Sequence, residues 1–180
     1  MAGSGILANS EKLAMLIEKL KERFGDAIVS SETANGDETI AIARDGALEI
    51  LKSLRDEPGF EFNFLVDLTA VDWLERKPRF DVIYHLNSLA LRHRLRIKVA
   101  VDYPEPWAYS ATPIWKGADW LERECFDMFG IVFKGHPDLR RILMYDTFEG
   151  HPLRKDYPYN KRQPIVPEVD PVVNPLRPSR

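Results

Sequence analysis

Glu122, Glu124, Asp127, His136 and His151 are the side chains whose types could do chemistry, as a hydrolytic metal site or an acid/base pair. Their spacing argues against both. The sequence contains no His-Glu-x-x-His helix and no Cys/His knuckle, and His136 and His151 stand fifteen residues apart, each followed by proline. Neither a Gly-x-Ser-x-Gly elbow nor a phosphate-cradling Gly-rich loop is present. Cys125 is the only cysteine, so the chain cannot close an intrachain disulfide or supply the four thiolates of an ordinary iron–sulfur cluster. A lone thiol is more often a small core residue than a nucleophile. Arg140, Arg141, Arg154 and Lys155 roughly balance the nearby acids. Alternating charge at close range reads first as an ion-pair network holding irregular loops, with an Arg140-Arg141 anion site as the lesser alternative. No catalytic, cofactor or metal residue is therefore expected here; the competing reading is a stand-alone metal-dependent hydrolase built on the His/Glu/Asp set.

These groups need a helix and loops to hold them. Asp119 and Glu122 have the Asp-x-x-Glu spacing of a capping box, which predicts a helix from about Asp119 to Phe129 with Gly130 as its stop. On its wheel Met128, Leu121, Cys125 and Phe129 span about 100°, one core-facing stripe. Arg123, Asp127, Trp120 and Glu124 fall on the other side. Glu122 lies between Phe129 and Phe126, hence partly buried, and the cap or an arginine would partner it. Residues 131–158 read as charged loop. From Tyr159 on, Pro164, Pro167, Pro171, Pro175 and Pro178 predict an extended, polyproline-like tail that cannot build a core of its own.

Upstream the periods are clearer. Ser10 reads as an N-cap, with Leu13, Leu16, Ile17, Leu20 and Phe24 on one helical stripe and Gly25 at the stop. Segments 27–34 and 37–43 form a predicted hairpin joined by Asn35-Gly36. Asp45 is placed to cap a second helix carrying Leu48, Leu51 and Leu54, ended by Pro58-Gly59. Residues 62–71 mix alternation with a continuous apolar run and leave the face undecided. Phe80, Val82, Tyr84 and Leu86 fall on one side of the next strand. Leu95, Ile97, Val99 and Val101 alternate strictly with Arg94, Arg96, Lys98 and Ala100, the mark of a sheet with one solvated face. The basic set, with Arg92, is read as that solvated face, an RNA-binding stripe being the lesser alternative. The order α-β-β-α-β-β-β favours an α+β two-layer sandwich of a mixed sheet with helices over a doubly wound sheet. The division expected is an α+β domain at 1–103, a charged segment packed on it at 104–158 and the tail at 159–180.

Composition bounds the partners. A net charge of −3, from 25 Lys and Arg against 28 Asp and Glu, gives no bulk case for nucleic acid. Hydrophobic residues at 44% and charged residues at 29% are a globular balance. No run of about 18 apolar residues occurs, and residues 1–10 carry neither a basic n-region nor an Arg-rich transit pattern, so membrane contact is expected only through partners.

Three blocks in order carry a resemblance: Glu122-Arg123-Glu124-x-x-Asp127-Met-Phe-Gly130-Ile, then Gly135-His136-Pro-Asp138-Leu-Arg140-Arg141-Ile-Leu, then Glu149-Gly150-His151-Pro152-Leu-Arg154-Lys155-Asp156-Tyr-Pro. They resemble the signature of the C subunit of respiratory NADH:quinone oxidoreductase (complex I), the family of the mitochondrial 30-kDa subunit. The likeness is dense over 117–158 and looser through Val71-Asp72-Trp73 and Arg79 to Leu86; Lys161-Arg-Gln-Pro164 is similar to a common ending. Tyr109 and Pro113 depart from the usual pattern. The resemblance implies a scaffold subunit of the peripheral arm with no cofactor of its own. The assembly would use NADH, FMN, iron–sulfur clusters and quinone, on the cytoplasmic side of a bacterial inner membrane. Implied partners are the quinone-site (D) subunit, with the C-terminal segment laid across it, and other peripheral-arm subunits. A homologous subunit of a membrane-bound hydrogenase or a ferredoxin-linked dehydrogenase is the nearer alternative.

Overall fold

The computed structural model describes residues 15–34 and 37–165. Helix α1, residues 15–24, buries Leu16, Ile17 and Leu20, the middle of the expected stripe. Ser10 and Leu13 lie outside the described residues. β1 (Ile28–Ala34) and β2 (Asp37–Ile42) form the expected antiparallel hairpin, with Ala34 opposite Asp37; Asn35-Gly36 themselves are not described. α2 (Ala47–Asp56) follows a single 3₁₀ turn at Arg44–Gly46. That turn displaces Asp45 from the cap: Gly46 takes the N-cap position with no side-chain bond, and Asp45 lies 3.6 Å from Arg44 instead. Leu48 is exposed as well. The buried stripe is Ala47, Ile50, Leu51 and Leu54, spaced i, i+3, i+4 and i+7, and Leu48 falls outside it.

β3 (Phe64–Asp72), β4 (Phe80–Ser88) and β5 (His93–Val101) complete a five-stranded sheet of order β1-β2-β5-β4-β3, antiparallel except for the parallel β2–β5 pair. The undecided face of β3 has a local cause. The register shifts between Leu65 and Asp67, so the chain enters on one phase and leaves with Leu68, Ala70 and Asp72 buried. β4 buries Phe80, Val82, Tyr84 and Leu86, and β5 buries Leu95, Ile97, Val99 and Val101, both as the alternation predicts. Arg94 and Arg96 stand on the opposite face, where Arg94 is 3.8 Å from Asp37 and Arg96 reaches Thr39. A parallel pair, β6 (Trp107–Tyr109) with β7 (Val132–Lys134), brackets α3 (Ala118–Phe129).

All three helices contribute to one core. Leu20, Leu54, Cys125 and Phe133 belong to the same buried cluster as Tyr84 and Ile97. This is the mixed-sheet α+β architecture expected. It lays α3 against β3, where Cys125 Sγ is 3.8 Å from the Leu68 carbonyl oxygen.

Candidate functional site

The end of α3 organises the charged segment. A helix leaves its last four carbonyls without intrahelical partners. Here all four are bonded. Gly130 N–H donates to Phe126 O at 2.8 Å, His151 Nδ1 to Asp127 O at 3.0 Å, Leu153 N–H to Met128 O at 3.1 Å and Arg154 Nε to Phe129 O at 2.5 Å. A carbonyl only accepts, so the His151 proton sits on Nδ1. Burial, with Arg154 and Arg141 adding to it, holds His151 below its ordinary range despite that bond. Burial likewise lowers Arg154 from its ordinary value.

Gly130 is the stop expected from the sequence, at φ +73°. A Cβ there would collide with Arg154 Nη2 and come within 2.5 Å of His151 Nε2, so glycine is required by conformation and by space. Gly130→Ala is expected to lower stability by about 2 kcal/mol, the left-handed penalty plus displacement of two capping groups. A denaturant midpoint at constant slope measures it.

The helical wheel sets Asp127 on the outer side of α3, yet it is fully buried. The chain after β7 folds back over that side. Oδ1 accepts from Arg141 Nη1 at 2.6 Å, while Oδ2 accepts the N–H groups of Ile142, Leu143 and Met144 at 3.1, 2.8 and 2.8 Å. Burial alone would raise this carboxyl, but these donors hold it below its ordinary value. Arg141 also donates to Gly150 O at 3.1 Å, and Arg123 donates to the carbonyls of Arg140 and Arg141, each at 3.2 Å.

A second cluster lies outside what residue types and spacing pick out. Arg79, itself buried, donates Nε and Nη2 to Asp72 at 2.8 and 2.7 Å, and Nη1 and Nη2 to Asp156 at 2.9 and 2.8 Å. Asp72 also accepts from Leu74 N–H at 2.8 Å and Lys155 N–H at 2.9 Å. Burial pushes the Asp72 carboxyl up, but Arg79 and these amides bring it down to about 2. The hydrogen bonds from Arg79 hold Asp156 below its usual range. The sequence signal for this cluster is the Asp72 and Arg79 pair within the looser resemblance; nothing in the spacing ties either to Asp156.

Glu122 departs from both partners expected of it. α3 starts at Ala118 with Gly117 as N-cap and no side-chain cap bond, so Glu122 sits too far into the helix to close a capping box. No arginine meets it. Oε2 accepts from Ser110 Oγ at 2.7 Å and Oε1 from Ala111 N–H at 2.6 Å, and Ser110 Oγ lies 2.7 Å from Thr112 Oγ1. Burial lifts its carboxyl to about 7 against these bonds, with Asp119 adding to the rise. A carboxyl raised in the folded state stabilises the fold below its unfolded pKa and loses that contribution as pH climbs to the folded one. Wild-type stability should therefore fall by about 3 kcal/mol between pH 4.5 and 7 from this group. Gln at this position cannot titrate, so Glu122→Gln should gain on wild type across that interval. Unfolding at pH 5 and pH 8 reads the difference; a constant gap would mean Glu122 titrates in the ordinary range.

The other signature residues divide between framework and surface. His136 accepts Asp138 N–H at Nδ1 (3.0 Å), which leaves Nε2–H to donate to Asp119 O at 3.1 Å. Arg140 pairs with Asp138 at 3.0 Å in the open. Glu149 holds Lys161 at 3.4 Å, and its backbone exchanges bonds with Gln163. Gly150, at φ +93°, lies against the Tyr157 ring, and Pro152 is half-buried between two capping residues. Glu124 and Lys155 point outward. His136 and His151 thus serve different loops, and no three of the His, Cys, Asp and Glu side chains among the described residues gather as metal ligands would.

The family model for the respiratory-chain NADH dehydrogenase 30 Kd subunit matches residues 40–163. The chain belongs to this family. The resemblance carried by the three blocks is borne out, and the match also spans Asp72 and Arg79. The NADH-quinone oxidoreductase C subunit of Citrifermentans bemidjiense is 49% identical over 142 residues, covering 79% of this chain and 87% of that protein. The same-named protein of Roseiflexus sp. is 48% identical over 145 residues, covering 81% and 83%. A solved trypsin-resistant fragment of Nqo5 aligns with a TM-score of 0.62 at 31% identity, over 71% of this chain and 99% of that one. A chain of the membrane-bound sulfane sulfur reductase, an archaeal respiratory membrane complex, aligns with a TM-score of 0.69 at 20% identity, over 83% and 87%, a likeness of fold. In this member of the 30-kDa family, Tyr109 packs edge-on against Trp107 at 5.2 Å and Pro113 is exposed in the turn before Trp115, so both departures lie away from the α3 hub.

Proposed function

We propose that the chain is a non-catalytic scaffold subunit of the peripheral arm of a proton-pumping NADH:quinone oxidoreductase, packed against the quinone-site subunit. In this reading NADH, FMN, iron–sulfur clusters and quinone bind to other subunits, and the chain meets the bacterial inner membrane on its cytoplasmic side through the assembly. Among the described residues no helix is long and apolar enough to cross a membrane. The observation that carries the proposal is what the signature residues do: Glu122, Asp127, Arg141, His151 and Arg154 direct their polar atoms at their own chain's backbone and loops. Side chains engaged in this way hold the loops of their own chain, which supports a structural role for them. Relatives named for the NADH-quinone enzyme reach 48–49% identity, against 20% for the sulfane sulfur reductase chain, which supports the NADH reading over a related assembly.

Purifying a tagged chain from solubilised native membranes tests this. The quinone-site subunit and NADH:quinone oxidoreductase activity should co-elute with it; elution alone, or with hydrogenase subunits, would reject the reading. The tail gives a second expectation. Tyr159 and Ile165 are 99% and 94% exposed, so the chain is already running clear of the core there. Deleting the residues after Pro164 should leave the melting temperature nearly unchanged and weaken association with the quinone-site subunit, because pre-extended proline segments lose little entropy on docking. Equal recovery of that subunit by full-length and truncated chains would exclude a docking role for the tail.

A further inference from the structure

Glu122 is a fully buried acid, and what it holds is the turn between β6 and α3. Oε1 accepts Ala111 N–H at 2.6 Å, and Oε2 lies 2.7 Å from Ser110 Oγ. The Ala111 carbonyl accepts the N–H groups of Ile114 and Trp115, each at 2.9 Å, which closes the turn. The turn in its place sets Trp115 Nε1 on the Phe62 carbonyl at 3.2 Å and offers Ile114 O to Arg55 of α2. One carboxyl thus ties residues 110–115 to α3, and through them to α2 and the chain entering β3.

The surroundings suit a neutral acid. As a carboxylate Glu122 accepts from Ser110; with a proton on Oε2 that bond reverses. Ser110 Oγ then accepts from Glu122 and from Thr112 N–H at 3.2 Å and donates to Thr112 Oγ1 at 2.7 Å, which fills its three places. The carboxylate has one donor on each oxygen and no counter-charge, a costly state for a buried ion. The titratable groups that act on it, Asp119 and Cys125 of α3 and Tyr84 of β4, are all acids. Arg55 of α2 is engaged by Asp56 and Ile114 O, and the Lys134 ammonium of β7 lies over the Trp107 ring at 3.3 Å. Burial lifts the carboxyl to about 7, so its two states exchange near neutral pH.

We infer that Glu122 is a protonation-dependent latch: as the neutral acid it clamps the 110–115 turn onto α3, and on ionising it lets that turn open to water. Opening hydrates the carboxylate and returns it to its ordinary range, so rising pH favours the open turn. The latch takes no bond from the five-stranded sheet, so the turn can open while the sheet stays paired.

Amide hydrogen exchange of the full-length chain, corrected for the intrinsic exchange rate at each pH, tests this. The opening constant read at the Ala111, Ile114 and Trp115 amides should rise about seventy-fold between pH 5 and pH 8, for a carboxyl at about 7 in the closed turn and 4.5 in the open one. These amides should exchange faster than those of β4 and β5, which open only with the whole fold. Glu122→Gln should show no rise. Ser110→Ala keeps the carboxyl but removes a donor to its ionised form, so the rise should move to higher pH. A flat wild-type profile overturns the latch, as does an equal rise in Glu122→Gln. Turn amides no faster than the sheet amides also overturn it, because the proton would then act on global unfolding alone. If Glu122→Gln does not fold, wild type and Ser110→Ala decide, and coincident profiles from those two overturn the latch.

Discussion

Asp127→Ala is expected to destabilise the fold by about 3–5 kcal/mol, because it strands a half-buried guanidinium and three backbone amides together. The carboxylate has four donors directed at it and no acceptor: Arg141 Nη1 on one oxygen and the amides of Ile142, Leu143 and Met144 on the other. That arrangement makes the isosteric change informative. Asn at 127 can keep its oxygen on the three amides only by turning its NH₂ toward Arg141, donor against donor. Asp127→Asn should therefore cost about 2–4 kcal/mol, despite unchanged size. The pH dependence has the opposite sign to that of Glu122. The folded carboxyl lies below its unfolded value, so its contribution is present above about pH 4 and disappears as acid protonates the folded state. Chemical denaturation of wild type and Asp127→Asn at pH 7 decides the matter. Equal midpoints and slopes would mean the 140–145 loop holds itself without the carboxylate.

What can be seen in the sequence, and what cannot, separates by range. α3, its Gly130 stop, the hairpin and the faces of β4 and β5 follow from periods and caps within about ten residues, where backbone geometry alone sets the pattern. The resemblance reaches further, since it marks Asp127, Arg141, His151 and Arg154 as belonging together without saying how. The wheel misplaces Asp127 because its partners arrive fourteen to seventeen residues later, from loop without a period. A helical wheel shows which side of α3 meets the sheet, and it is blind to a loop that returns over the other side. For Glu122 the error lies in a boundary. Moving the helix start to Ala118 removes the capping geometry and leaves the carboxyl inside the packing, where Ser110 and Ala111 meet it. Asp45 loses its capping role through the same kind of displacement, one 3₁₀ turn wide.

The other large effect belongs to Arg79, which ties the sheet to the last signature block through two carboxylates. Its guanidinium makes four bonds, two to Asp72 and two to Asp156, while stacking within 4.9 Å of both Phe80 and Tyr103. Lysine carries the same charge but has neither the planar fork nor the reach to engage both acids, so Arg79→Lys should cost about 2–4 kcal/mol. Arg79→Ala should cost about 3–5 kcal/mol, because Asp72 is then buried without its counter-charge. Acid separates this account from simple loss of packing. In wild type the Asp72 carboxyl at about 2, against 3.8 as its ordinary value, contributes roughly 2 kcal/mol that is present above pH 4 and lost as pH falls through 2. Without Arg79 the burial of Asp72 is opposed only by the Leu74 and Lys155 amides, so its carboxyl should rise and protonation should relieve the variant. The stability gap between wild type and Arg79→Ala is expected to narrow steadily from pH 5 down to pH 2.5. A gap of constant size across that range would show that Arg79 supports the fold through its contacts with Phe80 and Tyr103, and that its charge contributes little.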